Sequence, residues 1–404
     1  MIASTQHAPA QSDATAPGPA LEARFVEAPE ARAMAAAWRD LFHACAEANP
    51  FYGPDFLLPL LALGGKLERA SFLIVSRGEE LVLLCPILKR RFGWPGLRPS
   101  LATARHEFIF NSLPLIRRGL ETGAWRAMLD ALEARYGRGF FTLGASPLDG
   151  PVARGLMLAL AESLRPSLVL HSCERAGILS AGTLEAHLSR IKARTLSKLR
   201  RHVRELGKLG KLGFRAAASG AALAEAVDAF LELEARGWKG RQGSAFASDP
   251  RGASFARQAL ACGGDAPGVR AELLTLDERP IGAFLHLVAP AYSATFKIAH
   301  DEDLARQAPG VLTMLHSLRG LHAEPWTQRL DSGASPEHAV GAVWRDRIPA
   351  GEVLMALSPR QGQGELIAHA RAQALMLGLR AKARDAYYAL TRRKRTQARK
   401  AKTE

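Results

Sequence analysis

Apolar residues in this chain change period several times, and each change predicts an element. Over 30–48 and 54–64 they recur every three to four residues, which predicts two helices, with Asn49-Pro50-Phe51-Tyr52 breaking one from the next. Positions 71–76 and 81–88 are short apolar runs joined by Arg77-Gly78-Glu79-Glu80, a hairpin signal. Helical patterns near 121–135 and 151–164 alternate with strands at 140–143 and 167–172, and the Gly-, Pro- and Arg-rich stretch 90–104 reads as a loop.

The second half follows the same order. Helices at 183–209 and 221–236, a loop over 237–250 and a helix at 251–262 lead to strands at 269–276 and 281–288, joined by Asp277-Glu278-Arg279-Pro280. Tyr292, Ala294, Phe296 and Ile298 then alternate with Ser293, Thr295, Lys297 and Ala299, as in a strand with one buried face. Val311, Leu312, Leu315, Leu318 and Leu321 return to helical spacing, and 328–331 reads as another short strand. Two halves built as helices, hairpin, helix and strand predict a duplicated α+β unit, alike in order and not in residues. The expected division is a leader over 1–20, domains over 21–175 and 176–360, and an Ala-rich, then basic, helical tail over 361–404 that extends beyond the compact fold.

Composition narrows the class. With 404 residues and 48% hydrophobic content the chain can bury two cores, and it has no apolar run of membrane-spanning length. The leader lacks the basic start and apolar centre of a signal peptide and reads as disordered. Cys45, Cys85, Cys173 and Cys262 lie far apart without metal-ligand spacing, so no metal is expected; reduced, mostly buried thiols in a cytoplasm fit best.

The net charge of +15 is concentrated. Arg190 to Arg215 holds ten Lys or Arg against Glu205 alone, and Arg380 to Glu404 holds ten against Asp385 and Glu404, leaving the rest close to neutral. In the first cluster Leu184, Leu188, Ile191, Leu199 and Leu206 share a face, so Arg194, Lys198, Arg201, Arg204 and Lys208 project from the other. That face suits the phosphates of a donor, an acidic acyl carrier protein or an anionic saccharide, or is a plain solvated face. The tail reads as a basic arm able to touch an anionic membrane. Few aromatics interleave with these cations, which argues against specific nucleic-acid recognition.

Candidate chemistry gathers around Gln307-Ala308-Pro309-Gly310-Val311-Leu312, a Gly-bearing turn that opens a helix whose free N–H groups can hold an anion. Upstream, Trp238-Lys239-Gly240 ends a helix in an aromatic-basic-glycine turn; downstream come Leu330-Asp331-Ser332-Gly333 and Trp344. Together with Ser197-Lys198-Leu199-Arg200-Arg201, Asn49-Pro50-Phe51 and Leu84-Cys85-Pro86-Ile87, this series over roughly 25–358 resembles the CelD/BcsL-type acetyltransferases of the GNAT superfamily. The turn follows that superfamily's Q/R-x-x-G-x-G/A pattern except that Leu312 stands where a small residue is usual.

The resemblance implies an α+β fold of tandem GNAT-like domains and transfer of an acyl group from acetyl-CoA or a longer acyl-CoA to an amine or hydroxyl, in polysaccharide or cell-envelope metabolism. It places the thioester in the gap between the strand ending near Ala299 and the one ending near Asp331, with Gln307, Pro309, Gly310, Val311 and Leu312 holding the donor. Asp331 is the first candidate for general base, with His300 as an alternative and Lys239 as a catalytic or anion-binding cation; Trp238, Lys297 and Arg201 are candidate substrate contacts. Each has a plain structural alternative: a turn cap for Asp331, solvated lysines, a polar loop around His300. The first half lacks such a turn and is expected to shape the acceptor site. Two rival functions remain open, a Fem-type transferase drawing an aminoacyl group from tRNA and a non-catalytic protein that holds anionic surfaces or nucleic acid.

Overall fold

The protein is described by a computed structural model over residues 20–90, 98–289, 291–379 and 382. The first half contains β1 (Leu21–Val26), α1 (Ala28–Ala33), α2 (Ala35–Ala44), α3 (Pro54–Leu61), β2 (Ser71–Arg77), β3 (Glu80–Arg90), β4 (Ser100–Thr103), β5 (Leu115–Ile116), α4 (Glu121–Tyr136), β6 (Phe140–Pro147), α5 (Pro151–Glu162) and β7 (Ser167–Leu179). The second contains α6 (Leu184–Ser189), α7 (Ala193–Gly207), β8 (Leu212–Ala217), α8 (Gly220–Arg236), α9 (Trp238–Arg241), α10 (Pro250–Ala256), β9 (Gly268–Leu276), β10 (Arg279–Val288), β11 (Ser293–His300), α11 (Pro309–Ala323), β12 (Arg329–Asp331) and β13 (Asp346–Ala356). This is the expected α+β class, two similar units in tandem.

One sheet runs through the molecule in the order β1-β2-β3-β4-β6-β13-β7-β12-β11-β10-β9-β8, with β5 paired to β3. Most neighbours are antiparallel, but β4–β6 and β11–β12 are parallel, one such pair in each half. The long strands β7 and β13 belong to both halves. Along β13, residues 350–356 pair with β6, while Asp331 of β12 and Asp346 of β13 both pair with Gly177 of β7. Thus β7 passes through position 175, and the last strand among the described residues lies inside the sheet of the first half.

Several expectations need correction. Residues 100–103, read within a loop, form β4, and the 167–172 strand extends to Leu179. The strands β8 and β13 were not predicted: β8 carries Gly213, and β13 carries Pro349 and Gly351, residues that weaken a strand pattern. The tail does not simply leave the fold. A helix over 363–379 docks on the first half, with Leu366 buried against Phe140, Leu354 and Ala356 and the His369 ring stacked on Phe140 at 4.0 Å. The basic arm over 392–402 and nearly all of the 1–20 leader lie outside the described residues. All four thiols are free, but only Cys45 and Cys85 are buried; Cys173 and Cys262 are exposed.

The largest core joins the halves. Trp38, Phe42, Phe51 and Phe56 from α2, α3 and the intervening turn pack with Phe230, Phe246, Phe255 and Phe296 of the second half. A second core lies under α4 and α5, and a third between α7, α11 and the sheet. Desolvation of so many large side chains at one seam fixes the halves against each other.

Candidate functional site

The site is built from the free edge of β11. Its parallel partner β12 pairs with it only at Ser293–Leu330 and Ala294–Asp331, so beyond Ala294 the backbone of β11 faces a gap. Against β10 the register slips at the same place: Lys297 pairs with Leu285 and Thr295 with His286, leaving Phe296 as the extra residue of a β-bulge. A bulge re-aims backbone and side chains, and bulges are enriched beside active sites.

The gap opens on a cleft of about 520 Å³ lined by Glu234, Trp238, Lys239, His300, Gly310 and His338, among others. On one side stands the N-terminus of α11. Ala308 adopts a left-handed conformation at φ 48° and Pro309 begins the helix, a preset φ at a position that needs no donor. The N–H groups of Val311 and Leu312 both donate to the Ala308 carbonyl, at 3.0 and 3.1 Å, while that of Gly310 donates no hydrogen bond among the described residues. A Cβ on Gly310 would stand 3.3 Å from Ile298 Cδ1 and 3.6 Å from His300 Nδ1. Glycine therefore lets α11 lie close on β11 as well as leaving its N–H accessible.

The opposite wall comes from the end of α8 and from α9. Glu234 is buried and accepts hydrogen bonds from Lys239 Nζ and Lys297 Nζ, each at 3.1 Å, and from the Phe246 N–H at 2.9 Å. Burial alone would raise its pKa, but Lys297, the Phe246 N–H and Lys239 outweigh it and hold the carboxyl below the usual range. Burial lowers the Lys297 pKa, with Glu234 opposing. The Lys297 ammonium also lies 3.8 Å from the Phe246 ring centre and 5.0 Å from that of Phe108. Trp238 is 51% exposed at the rim. Its backbone N–H donates to Glu302 at 2.5 Å, and Arg241 also pairs with Glu302, tying this wall to the turn before α11. Gly240 is obligatory here, since its Cβ would stand 1.8 Å from the Ala235 carbonyl oxygen.

The structure thus gathers Trp238, Lys239, His300, Gly310 and Val311 at one cleft, with Lys297 joined to it through Glu234. Five other candidates stand elsewhere. Leu312 points into the core with Leu315 and Leu318, so a large residue there is a packing choice. Gln307 and Pro309 belong to the turn but are not among the lining residues, and Arg201 is exposed on α7 beside Glu205 at 3.4 Å. Asp331 is fully buried: Tyr292 donates to it at 2.6 Å, buried Arg175 pairs with it at 3.1 Å, and the Gly333 N–H donates at 2.8 Å. Tyr292 is itself buried in this network.

Glu234, Phe246, Phe108 and His338 were missed. For Glu234 a signal existed: Val227, Phe230, Leu231 and Glu234 fall on one helical stripe, so a carboxylate stands where an apolar residue is expected. Phe108, from a loop of the other half, had none. The helix α7 packs beside the turn over 302–307 and keeps Arg194, Lys198, Arg201, Arg204 and Lys208 exposed. Among the described residues no cluster of His, Cys, Asp and Glu is placed to hold a metal ion, and no helix is long and apolar enough to cross a membrane.

Comparison with known proteins bears on the fold that carries this cleft. Residues 193–339, which span α7 to the region after β12, match the model of the acetyltransferase (GNAT) domain. Among solved structures, a conserved protein of unknown function from Bacteroides thetaiotaomicron VPI-5482 superposes with a TM-score of 0.50 at 11% identity, over 81% of this chain and 97% of that one. The C-terminal domain of a protein assigned as a lysylphosphatidylglycerol synthetase, from Agrobacterium fabrum, does so with a TM-score of 0.50 at 13% identity, over 85% and 96%. A tandem GNAT protein from the clavulanic acid biosynthesis pathway aligns at 17% identity over 84% and 100%, with a TM-score of 0.39. The likeness is one of fold, and no curated protein matches the chain. Residues 193–339 are thus similar to an acetyltransferase (GNAT) domain and belong to the second of two similar α+β units in tandem.

Proposed function

We propose that this acyltransferase takes its acyl group from acetyl-CoA or a longer acyl-CoA and passes it to the amine or hydroxyl of a small-molecule or saccharide acceptor in polysaccharide or cell-envelope metabolism. One observation carries the reading. The unpaired edge of β11, its bulge at Phe296, the uncommitted Gly310 N–H and the Glu234–Lys297 pair all bear on a single cleft. Gly310, at a helix N-terminus flanked by the cations of α7, would face the donor's phosphates. Trp238 offers a ring face to its base. Backbone N–H groups on the free edge near Phe296 would bind the carbonyl oxygen as charge develops on it, a role worth about 3 kcal/mol when the donor is preorganised.

In this reading Glu234, kept ionised by two lysines, is the proton acceptor for the incoming amine or hydroxyl, and Lys297 and Lys239 stabilise charge beside it. Asp331 positions the base of the gap through Arg175 and Tyr292. Calorimetric titration of the full chain with acetyl-CoA, then with a longer acyl-CoA, is the direct test. Binding by neither would overturn the proposal.

A second reading has its own support. Pro309 has no N–H and those of Val311 and Leu312 are committed to Ala308, so α11 presents a single free donor to a pyrophosphate. A thin phosphate cradle beside a strongly basic α7 also suits a Fem-type donor, aminoacyl-tRNA. Copurification of tRNA with the protein, and no response to acyl-CoA, would favour it.

A further inference from the structure

A second pocket, of about 490 Å³, lies at the seam of the two halves and is lined by Glu47, Arg118, Asp149, Arg154, Tyr292 and Arg329, among others. Tyr292 and Arg329 place it at the start of the β11–β12 pair, the end opposite to the cleft at His300. Its size is in the range of small-ligand sites.

Glu47 is the unusual group. It is only 5% exposed, and its Oε2 is buried without any hydrogen-bond partner. The carboxyl lies over the N-terminus of α5, so close that a Cβ on Gly150, the residue before that helix, would stand 1.9 Å from Oε2. The N-cap residue of α5 is Gly150, which has no side chain to cap the helix, and the Val152 N–H of its first turn is directed at the Glu47 carboxyl. Buried polar atoms are ordinarily paired, and an orphan that lines a cavity points to a partner that enters it.

The surrounding charge indicates which kind. Asp149 is fully engaged, since Arg329 binds both its oxygens at 2.8 Å. Arg154 reaches only the Asp149 carbonyl, and Arg118, exposed at the pocket, makes no ion pair among the described residues. Two guanidinium groups of this pocket are thus available, an arrangement suited to an oxyanion. Burial and Asp149 push the Glu47 carboxyl up, to about 7, against the opposing pull of Arg329, Arg154 and the Val152 N–H; Cys45 and Tyr292 are the other titratable neighbours. Near neutrality this carboxyl can therefore carry a proton and donate it.

We propose that this pocket binds a small oxyanion, a carboxylate or a tetrahedral oxyanion such as a phosphate group. Arg118 and Arg154 supply the positive charge, and the protonated Glu47 supplies a donor where an ionised carboxylate would repel the ligand. The site is independent of the acyl-transfer cleft.

Calorimetric titration of the full chain with acetate and, separately, with sulfate, each of constant charge between pH 6 and 8, tests this. At least one anion should bind at pH 6, and about tenfold more weakly at pH 8, with net uptake of a proton at the higher pH. Which of the two binds tells a carboxylate site from a tetrahedral one. Glu47→Gln, which keeps a donor without titrating, should bind at both pH values and lose the pH dependence. Arg118→Ala with Arg154→Ala should lose binding, which separates this pocket from the α11 N-terminus where sulfate also has a partner. Failure of both anions to bind at pH 6 would overturn the proposal. So would pH dependence that persists in Glu47→Gln, or binding unchanged in the double arginine variant.

Discussion

In the first half β4 and β6 run parallel over 100–102 and 140–142; in the second β11 and β12 do so at 293–294 and 330–331. Beyond each pair the strands part, and there the halves differ. In the first half the opening is filled. Thr103 Oγ1 receives the Gly144 N–H at 2.9 Å, the Ser112 N–H reaches Ser146 Oγ at 3.2 Å, and Asn49 Nδ2 donates to the carbonyls of Asn111 and Leu113 at 3.0 and 2.7 Å. In the second half the opening is left as the cleft, bordered by a helix N-terminus and a lysine–glutamate pair. The same sheet geometry is thus a sealed joint in one half and an open groove in the other, and short polar side chains decide which.

The strongest way to break this contrast is to seal the second copy. Gly310→Glu would push a Cβ against Ile298 and set a negative charge at the free N–H, and acyl-CoA binding should be abolished in a protein that circular dichroism shows to be folded. Unchanged affinity would show that the donor does not approach α11. Next, Lys297→Met should keep donor binding but lower kcat by about a hundredfold, because the charge beside the developing oxyanion is lost. A matching loss of donor affinity would make Lys297 a binding residue instead.

Asp331→Asn separates chemistry from architecture. Removing the charge leaves Arg175 buried without its counter-ion, and stability should fall by about 3–5 kcal/mol in denaturant titrations. If stability is kept and kcat alone falls, Asp331 is the base and Glu234 is not.

Much of this was legible in the chain. Hairpins at Gly78 and Asp277 and helices with clean periodicity were read nearly to their ends, and the α11 turn was found because Pro309 and Gly310 mark a helix start. Other features were not legible, because they depend on partners distant in sequence. The strand β13 carries Pro349 and Gly351 and acquires its meaning only between β6 and β7. Asp331 at a strand end reads as a base until Arg175 and Tyr292, 156 and 39 positions away, enclose it. Asn49-Pro50-Phe51 was visible as a motif, but its task of fastening the plug required Asn111 and Leu113 to be in place.

That task yields a smaller effect. Asn49→Ala would orphan the Phe51 N–H and two buried carbonyls, for a loss of about 2–3 kcal/mol of stability, while acyl-CoA affinity should not change. A change in affinity would mean that the sealed copy also shapes the donor site.

The mildest expected effect concerns Glu47, at the first half's own helix N-terminus. In the folded protein its carboxyl keeps a proton up to about pH 7, whereas the unfolded chain releases it near the ordinary value of 4.5. Between those values the native state binds more protons, so stability must fall as pH rises and level off above the folded pKa. From pH 6 to 8 the native state gives up most of that proton and the unfolded state almost none, which amounts to about 1.4 kcal/mol. Comparing urea midpoints of wild type and Glu47→Gln at the two pH values, without added anions, isolates this slope, which the glutamine variant should lack. An equal slope in both proteins would mean that Glu47 is ionised throughout, and that the α5 N-terminus is satisfied by its own carboxylate, where the α11 N-terminus is left free.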